Sequence, residues 1–267
     1  MPPELAHAAE FGRVLLVGAG PGSADLLTLR AARAIEGADA LLYDALTCAE
    51  VLDLAPARCL RIQTGKRAGK ASMRQETINR LMLRLARRGL TVVRLKGGDP
   101  SVFGRVGEEQ AFLAAHGIPV EIVPGVTAAS AAAAQFGFPL THRGEARRLL
   151  ISTAIVADGH LLEDGWAAGA DAETTLALYM GRDQAGAVAQ RLMAHGRSAA
   201  TPAIAVENAG QRCARAIPTT LSNLARDLDA AVPTGPVVLI IGEVTAQADI
   251  AAATLSAEMR RPLTVST

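Results

Sequence analysis

The sequence predicts an α/β protein with two domains, a mainly parallel sheet in the first and a mixed sheet in the second. In the first half, short apolar strands alternate with segments of helical periodicity, which is typical of parallel βαβ units. In the second half, strands follow one another with short links and few helices between them. A chain of 267 residues, half of them apolar, is long enough to bury two such cores.

The first half contains five predicted strands and four predicted helices. The strands are 13–18, 38–43, 59–63, 91–96 and 120–123, and the helices are 26–35, 72–89, 107–116 and 126–136. The second helix is predicted from a capping box formed by Ser72 and Gln75, with Gly89 ending it. Its apolar stripe is Ile78, Leu81, Met82 and Leu85.

The second half is predicted as five strands and two helices. The strands are 148–152, 174–180, 203–207, 213–217 and 237–241, and the helices are 185–194 and 221–228. The short link between the third and fourth of these strands predicts an antiparallel hairpin. The predicted domains are therefore 12–138 and 139–246, followed by an Ala-rich tail, 247–267.

Composition limits the classes of function. A net charge of +1 argues against a nucleic-acid binder, and no apolar run reaches the roughly 20 residues of a membrane span. No signal peptide is evident, and the three cysteines lack metal-ligand spacing, so a reduced, cytoplasmic enzyme without a metal is expected. Only three of the 27 basic residues are lysines, which reflects either a GC-rich genome or arginines that bind carboxylates or phosphates.

Three glycine-containing motifs follow predicted strands of the first half. They are Gly18-Ala19-Gly20-Pro21-Gly22, Lys96-Gly97-Gly98-Asp99-Pro100 and Pro124-Gly125-Val126-Thr127-Ala128-Ala129-Ser130. Each could be turn chemistry alone, but together they predict one ligand crevice at the carboxyl edge of the sheet. A dinucleotide fingerprint fits poorly, because Ser23 replaces its third glycine and Pro21 removes a backbone donor; Asp44 is the one acidic residue near the ribose-binding position.

These motifs, with others further along the chain, resemble the uroporphyrinogen-III C-methyltransferase family, which has the tetrapyrrole methyltransferase fold. The other matching segments are Leu42-Tyr43-Asp44, Phe103-Gly104-Arg105, Pro139-Leu140-Thr141-His142-Arg143, Tyr179-Met180-Gly181 and Val206-Glu207-Asn208. The resemblance implies two α/β domains, a homodimer, and S-adenosylmethionine bound in the cleft between the domains. It also implies two successive methylations of uroporphyrinogen III to precorrin-2, for siroheme, cobalamin or another modified tetrapyrrole, with S-adenosylhomocysteine as the second product.

The resemblance carries the cofactor contacts onto nine positions of this sequence. They are Pro21, Gly97, Gly98, Asp99, Val102, Thr127, Ala128, Met180 and Ala209. Asp99 could accept hydrogen bonds from ribose hydroxyls or an ammonium group, and Met180 with Ala209 could form an apolar slot for adenine. Met180 could instead be a buried strand residue that fills a gap.

Asp44 and Lys66 match the positions that the family assigns as proton acceptor and proton donor. Asp44 could instead cap the following helix, and Lys66 could be a solvated loop charge. Arg105, Glu108 and Arg143 are expected on the substrate side, where the arginines would bind substrate carboxylates. For Arg143, an ion pair that joins the domains is the alternative.

Two segments of the second half depart from the family pattern. Thr153-Ala154 stands where the family usually has Gly-His, and Ala209-Gly210-Gln211 is a shortened turn. Three other functions remain open at this point: methylation of a later corrinoid, RNA or a modified histidine; a nicotinamide-dependent oxidoreductase; and a non-catalytic tetrapyrrole carrier.

Overall fold

The computed structural model describes residues 11–45, 47–65, 73–155 and 165–251. The chain divides into two compact units, Met1–Thr127 and Ala128–Thr267, and each has its own five-stranded sheet. Within the described ranges, no helix is long and apolar enough to cross a membrane.

The first unit is built from parallel β-strands connected by α-helices, as predicted. Its strands are β1 (Arg13–Gly18), β2 (Ala40–Tyr43), β3 (Leu60–Gln63), β4 (Thr91–Lys96) and β5 (Val120–Val123). Its helices are α1 (Leu29–Glu36), α2 (Ala49–Leu52), α3 (Gln75–Ala86) and α4 (Val106–Ala115). The strand order is β3-β2-β4-β1-β5, and every pair is parallel. All the carboxyl ends therefore lie along one edge of the sheet.

The core of this unit is aliphatic on both faces of the sheet. Val93 and Leu95 of β4 pack with Leu15 and Val17 of β1 on one face, while Val92 packs with the helix α3 on the other. The stripe predicted for α3 is buried at Ile78, Met82 and Leu85, whereas Leu81 is partly exposed. Alternation along the strands and a 3.6-residue period along the helix thus both hold.

The predicted capping box of α3 is wrong. The helix begins at Gln75 with Arg74 as its N-cap residue, and no side chain caps it. The Gln75 amide donates instead to Asn79 Oδ1 and Glu109 Oε1, each at 2.9 Å. Ser72, the other predicted member, lies outside the described residues.

The second unit has a mixed sheet, as predicted. Its strands are β6 (Arg148–Thr153), β7 (Thr174–Tyr179), β8 (Pro202–Glu207), β9 (Arg215–Thr220) and β10 (Val237–Ile241). Its helices are α5 (Ala128–Gln135), α6 (Trp166–Ala170), α7 (Ala185–Ala194) and α8 (Leu224–Ala231). The order is β6-β7-β10-β8-β9, in which only β6 and β7 are parallel to each other.

The predicted hairpin is present, but its second strand starts later than the sequence suggests. Residues 213–217 were predicted, and the strand is Arg215–Thr220, paired antiparallel to β8 from Glu207↔Arg215 to Pro202↔Thr220. The Asn208–Ala214 turn takes up the difference, because Gln211 N donates to Asn208 O and Ala214 N donates to Gln211 O.

Helix α5 belongs to the second compact unit, because the two units divide between Thr127 and Ala128. The sequence places the domain boundary after this helix, at 138/139. The buried alanines of α5, Ala129, Ala132 and Ala133, pack with Ile204 of β8 and Ile240 of β10. Small side chains on the helix allow its backbone to approach the sheet closely. The Ala-rich tail lies outside the described residues from position 252 onward.

Candidate active site

Four glycines bring the loops after β1, β4 and β5 into backbone contact. Gly20 and Gly98 form an antiparallel bridge, in which Gly98 N donates to Gly20 O at 2.7 Å and Gly20 N to Gly98 O at 3.2 Å. A Cβ placed on Gly18 would lie 2.6 Å from Gly125 Cα, and one placed on Gly125 would lie 2.3 Å from Gly98 O. Gly18 and Gly125 are therefore required by packing of the loops themselves.

Gly98 differs from these two glycines. Its φ is +69°, and a Cβ built on it would have no neighbour nearer than 4.0 Å. The residue needs glycine for its left-handed backbone, and the space in front of it is open. An open stretch of backbone at the carboxyl edge of a parallel sheet is where ligands bind in α/β proteins.

Asp99 holds the β4 and β5 loops together. Its Oδ2 accepts a hydrogen bond from Gly125 N at 2.9 Å, and its Oδ1 accepts from the backbone N–H of Ser101 at 2.7 Å and from the Ser101 hydroxyl. Partial burial by itself raises the pKa of Asp99, but the bonds from Ser101 and Gly125 outweigh it and hold that pKa below its ordinary value. The carboxylate is thus ionised and fixed in place.

Asp44 follows β2 and is tied to two neighbouring strands. Arg94 Nη2 of β4 lies 2.7 Å from Asp44 Oδ1, and the Thr64 hydroxyl after β3 lies 3.0 Å from the same oxygen. Thr64 also lies 3.0 Å from the Tyr43 carbonyl oxygen, so its single proton serves one acceptor at a time. The Asp44 side chain remains 32% exposed, whereas that of Arg94 is 3% exposed.

Behind Asp44 lies a buried cluster of charges. Glu109 of α4 is fully buried and lies 3.3 Å from Arg94 Nε and 3.1 Å from Lys96 Nζ through each of its oxygens. Gln75 adds a hydrogen bond to the same carboxylate. Burial, together with the nearby Arg94, lowers the pKa of Lys96, although Glu109 opposes the shift.

The α4 N-terminus carries the two predicted substrate residues of this unit. Arg105 and Glu108 form an exposed, bidentate ion pair with N–O distances of 2.8 and 2.7 Å. The two hydrogen bonds that Arg105 donates to Glu108 raise the pKa of Arg105 and lower the pKa of Glu108. Arg105 and the exposed Phe103 both have positive φ, 58° and 55°, which side chains rarely adopt.

The remaining predicted positions of the first unit are half-buried. Pro21, Gly97 and Thr127 lie in the three glycine-containing loops, and Val102 follows the second of these loops, where its N–H donates to Asp99 O at 3.1 Å. Lys66, the predicted proton donor, lies outside the described residues.

In the second unit, Met180 is not the buried strand residue that the alternative interpretation requires. Strand β7 ends at Tyr179, and Met180 has a φ of 54° and is 51% exposed. Ala128 and Ala209 are half-buried and buried, respectively. Tyr179 OH accepts a hydrogen bond from Ala129 N at 2.9 Å, which fixes the start of α5 beside β7.

A buried glutamine holds the turn that contains Ala209. Gly210 N donates to Gln135 Oε1 at 2.9 Å, and Gln135 Nε2 donates to Gln211 O at 3.0 Å. Asn208 has positive φ, 52°, and its side chain fills the space where Gly235 lacks a Cβ. The shortened turn is therefore ordered by α5.

Arg143 is exposed, and no residue of the described ranges forms a hydrogen bond or ion pair with its side chain. Ala154 is buried in the core of the second unit, and the Thr153 hydroxyl accepts from Ile155 N at 3.3 Å. Nowhere in the described ranges do three or more His, Cys, Asp or Glu side chains form a group that could hold a metal ion.

The family of the chain follows from comparison with known proteins. The family model for tetrapyrrole (corrin/porphyrin) methylases matches residues 13–225. This chain belongs to the tetrapyrrole methylase family. The expected resemblance and the fold of both α/β units are thereby confirmed.

Three relatives match most of the chain. A uroporphyrinogen-III C-methyltransferase of Paracoccus denitrificans is 44% identical over 95% of this chain and 88% of its own length. The structure of a uroporphyrin-III C-methyltransferase of Thermus thermophilus with S-adenosylhomocysteine is 41% identical, with a TM-score of 0.74, and covers 88% of this chain and 99% of that one. Siroheme synthase 1 of Serratia proteamaculans is 48% identical over 87% of this chain. The matched region is about half of that relative, 48% of its length.

Sequence reasoning missed several residues that organise the site of this tetrapyrrole methylase. Arg94, Glu109, Gln75 and Thr64 around Asp44, and Gln135 behind Ala209, were not predicted. The sequence does contain a signal for Arg94, because Arg94 and Lys96 are charged residues at alternate positions of an otherwise apolar strand. Such residues point to the same face and need a buried counter-ion.

Proposed function

We propose that this tetrapyrrole methylase is a uroporphyrinogen-III C-methyltransferase that transfers two methyl groups from S-adenosylmethionine and releases precorrin-2. The observation that carries the proposal is the 44% identity to the Paracoccus enzyme of that name over 95% of this chain. The siroheme synthases are matched over about half their length, so the proposal extends to methylation alone among their activities.

The residues present fit S-adenosylmethionine. Gly98 offers open backbone with a positive φ, the fixed carboxylate of Asp99 suits a hydroxyl or ammonium donor, and Met180 exposes an apolar side chain. We assign the cofactor to these three residues together with Pro21, Gly97, Val102, Thr127, Ala128 and Ala209. When bound, the cofactor supplies an electrophilic methyl group on a sulfonium, so activation by a metal is unnecessary.

The work of the protein is to orient the substrate and accept a proton. Arg105 and Arg143 are proposed to bind substrate carboxylates, and Glu108 would release or hold Arg105 through their ion pair. Correct orientation of the attacking carbon converts a bimolecular step into an effectively intramolecular one. Asp44 is proposed to take the proton that the ring system loses, and Lys66 to serve as the proton donor.

The same proposal includes a homodimer, a cytoplasmic location, and use of the product for siroheme, cobalamin or a related tetrapyrrole. The homodimer, the location and the proton roles rest on the family resemblance, and the location also rests on the cysteine usage.

The test is an anaerobic incubation of the purified protein with uroporphyrinogen III and S-adenosylmethionine, followed by mass spectrometry. We expect a product that is heavier by two methyl groups, with two S-adenosylhomocysteine molecules formed for each one. Reactions without S-adenosylmethionine and with a corrinoid already methylated are run in parallel. Methylation of the corrinoid alone would assign the chain to a later methylation step. Methylation of neither compound would favour the non-catalytic tetrapyrrole carrier.

A further inference from the structure

The charge cluster behind Asp44 includes an arginine whose three guanidinium nitrogens each contact an oxygen atom. Arg94 Nε lies 3.3 Å from Glu109 Oε1, its Nη1 donates to the Leu95 carbonyl oxygen at 3.0 Å, and its Nη2 lies 2.7 Å from Asp44 Oδ1. The side chain is 3% exposed, so solvent does not compete for these contacts. A planar guanidinium held at each of its three nitrogens has one position available to it.

Glu109 anchors this arrangement from the other side. Its carboxylate is 0% exposed and is shared by Arg94, Lys96 and Gln75. Leaving a buried charge unpaired is costly, so the two cations keep Glu109 between them and Glu109 keeps Arg94 directed at Asp44. Three elements, β2, β4 and α4, are thereby joined through one chain of ionic contacts.

The contacts on Asp44 from described residues fall on a single oxygen. Arg94 and Thr64 both reach Oδ1, and the carboxyl group is about one-third exposed. Holding one oxygen fixes the orientation of the other. We propose that Arg94 is the positioning residue for the Asp44 carboxylate, with Glu109 holding Arg94 and Thr64 supporting the same oxygen. This inference rests on the proposed function, since it assigns Arg94 to the proton-accepting group of that reaction.

The test is a double-mutant cycle on turnover. Arg94→Met should lower kcat about 10²-fold, the size of effect expected when a reacting group is misplaced by about 1 Å, with little change in KM. In the Asp44→Asn background the same substitution should change kcat by less than about twofold, because the group that it positions is already gone. A purely structural role for Arg94 would instead give the same loss in both backgrounds.

Arg61→Met is the matched control, because the Arg61 side chain contacts Asp53 and the Ala55 carbonyl oxygen rather than Asp44 or Glu109. Its effect should multiply with that of Asp44→Asn to within about twofold. Thr64→Val, a substitution of nearly equal shape, repeats the cycle without removing a buried charge, and Arg94→Lys retains the charge without the fork. These two variants decide the matter if Arg94→Met does not fold, as judged by thermal unfolding and S-adenosylhomocysteine affinity.

The possible failures are distinct. If wild-type protein does not methylate uroporphyrinogen III, the proposed function fails. If wild-type protein is active and Arg94→Met, or Thr64→Val and Arg94→Lys in its place, lose the same factor with and without Asp44, the positioning role is overturned. A crystal structure of Arg94→Lys gives a readout independent of activity, in which Asp44 Oδ1 should have left its position beside Thr64.

Discussion

The predicted site residues of the two units are held in place by different means. In the first unit, Asp44 and Asp99 are fixed by short polar contacts to Arg94, Ser101 and Gly125. In the second unit, Met180, a predicted cofactor residue, follows the end of β7 with positive φ, and the backbone turn presents its exposed side chain. The carboxylates proposed to meet substrate and cofactor are thus preorganised by hydrogen bonds, whereas the apolar contact proposed at Met180 is presented by a strained turn.

From this difference between the units, we expect the largest loss of turnover when a polar contact group of the first unit is changed. Asp44→Asn keeps the shape of the side chain and removes its basicity, so turnover should fall by about 10² to 10⁴. S-adenosylhomocysteine affinity, measured by calorimetry, should change by less than about tenfold, or 1.4 kcal/mol.

The matched control for Asp44→Asn is Asp53→Asn, which alters a carboxylate paired with the exposed Arg61 at 3.6 Å. It should keep full turnover. If Asp44→Asn retained turnover within a few-fold, Asp44 would be a cap or positioning residue. If cofactor binding collapsed instead, Asp44 would belong to the cofactor site.

Open backbone at Gly98 is expected to matter for cofactor binding rather than for folding. Gly98→Val should reduce S-adenosylhomocysteine affinity by more than about tenfold, or 1.4 kcal/mol, because the side chain would project into the open space in front of the turn. Gly117→Val is the control, since Gly117 also has positive φ (+72°) and open surroundings. Both variants should lose about 1–2 kcal/mol of stability, but only the first should lose affinity.

The strained turn of the second unit can be relaxed. Met180→Gly should raise stability by up to about 1 kcal/mol by removing a side chain from the left-handed region, and should weaken S-adenosylhomocysteine binding severalfold. Val232→Gly relieves a φ of 46° at a residue that is 70% exposed and in none of the predicted site motifs. Val232→Gly should raise stability at least as much as Met180→Gly does, with no change in S-adenosylhomocysteine affinity. Equal affinities in the two variants would remove Met180 from the cofactor site.

Stability alone is expected to change at Glu207, a polar group of the second unit that is fixed like those of the first. The backbone N–H of Gly235, followed by that of Thr234 and by the Arg215 side chain, holds the pKa of Glu207 below its ordinary value of 4.5. A folded-state pKa below the unfolded one stabilises the ionised form, so this stabilisation is complete above about pH 4.5 and is lost as the pH falls through the folded value.

Glu207→Gln should therefore lower the free energy of unfolding by about 1–3 kcal/mol at pH 7, and by clearly less near pH 3, in urea titrations. Asp183→Asn, at an exposed ion pair with Arg182, should change it by less than about 0.5 kcal/mol at both pH values. An equal loss from Glu207→Gln at both pH values would mean that shape, rather than charge, is what the loop requires.

How far the sequence predicted the molecule depends on the range of the interactions. Strands such as Arg13–Gly18 and Thr91–Lys96 were predicted with their exact ends, because apolar runs bounded by glycine are local signals. The short helices at Ala49–Leu52 and Trp166–Ala170 were missed, since four or five residues carry no periodicity. Helix starts near Gln75 were also misjudged, because a tertiary contact with Glu109 took the side chain assigned to the cap.

For the site, glycine motifs at strand ends predicted which loops meet, and the Gly20–Gly98 bridge confirms that two of them do. The partners of Asp44 come from positions 64 and 94, and those of the Ala209 turn from position 135. Such pairings are fixed by the register of non-adjacent strands and by helix packing, which no local pattern specifies. Exposure of Met180 likewise follows from where β7 ends.

The strand order of the first unit also sets when its site can form during synthesis. Strand β1 pairs with β4 and β5, and β2 pairs with β3 and β4, so among the strands of the described ranges β4 alone links the two parts of the sheet. A nascent chain that stops before Thr91 can bring β2 and β3 together but offers β1 no neighbour. Because β4 also carries Arg94 and Lys96, the strand that joins the two parts of the sheet and the cations that later pair with Asp44 and Glu109 are synthesised together.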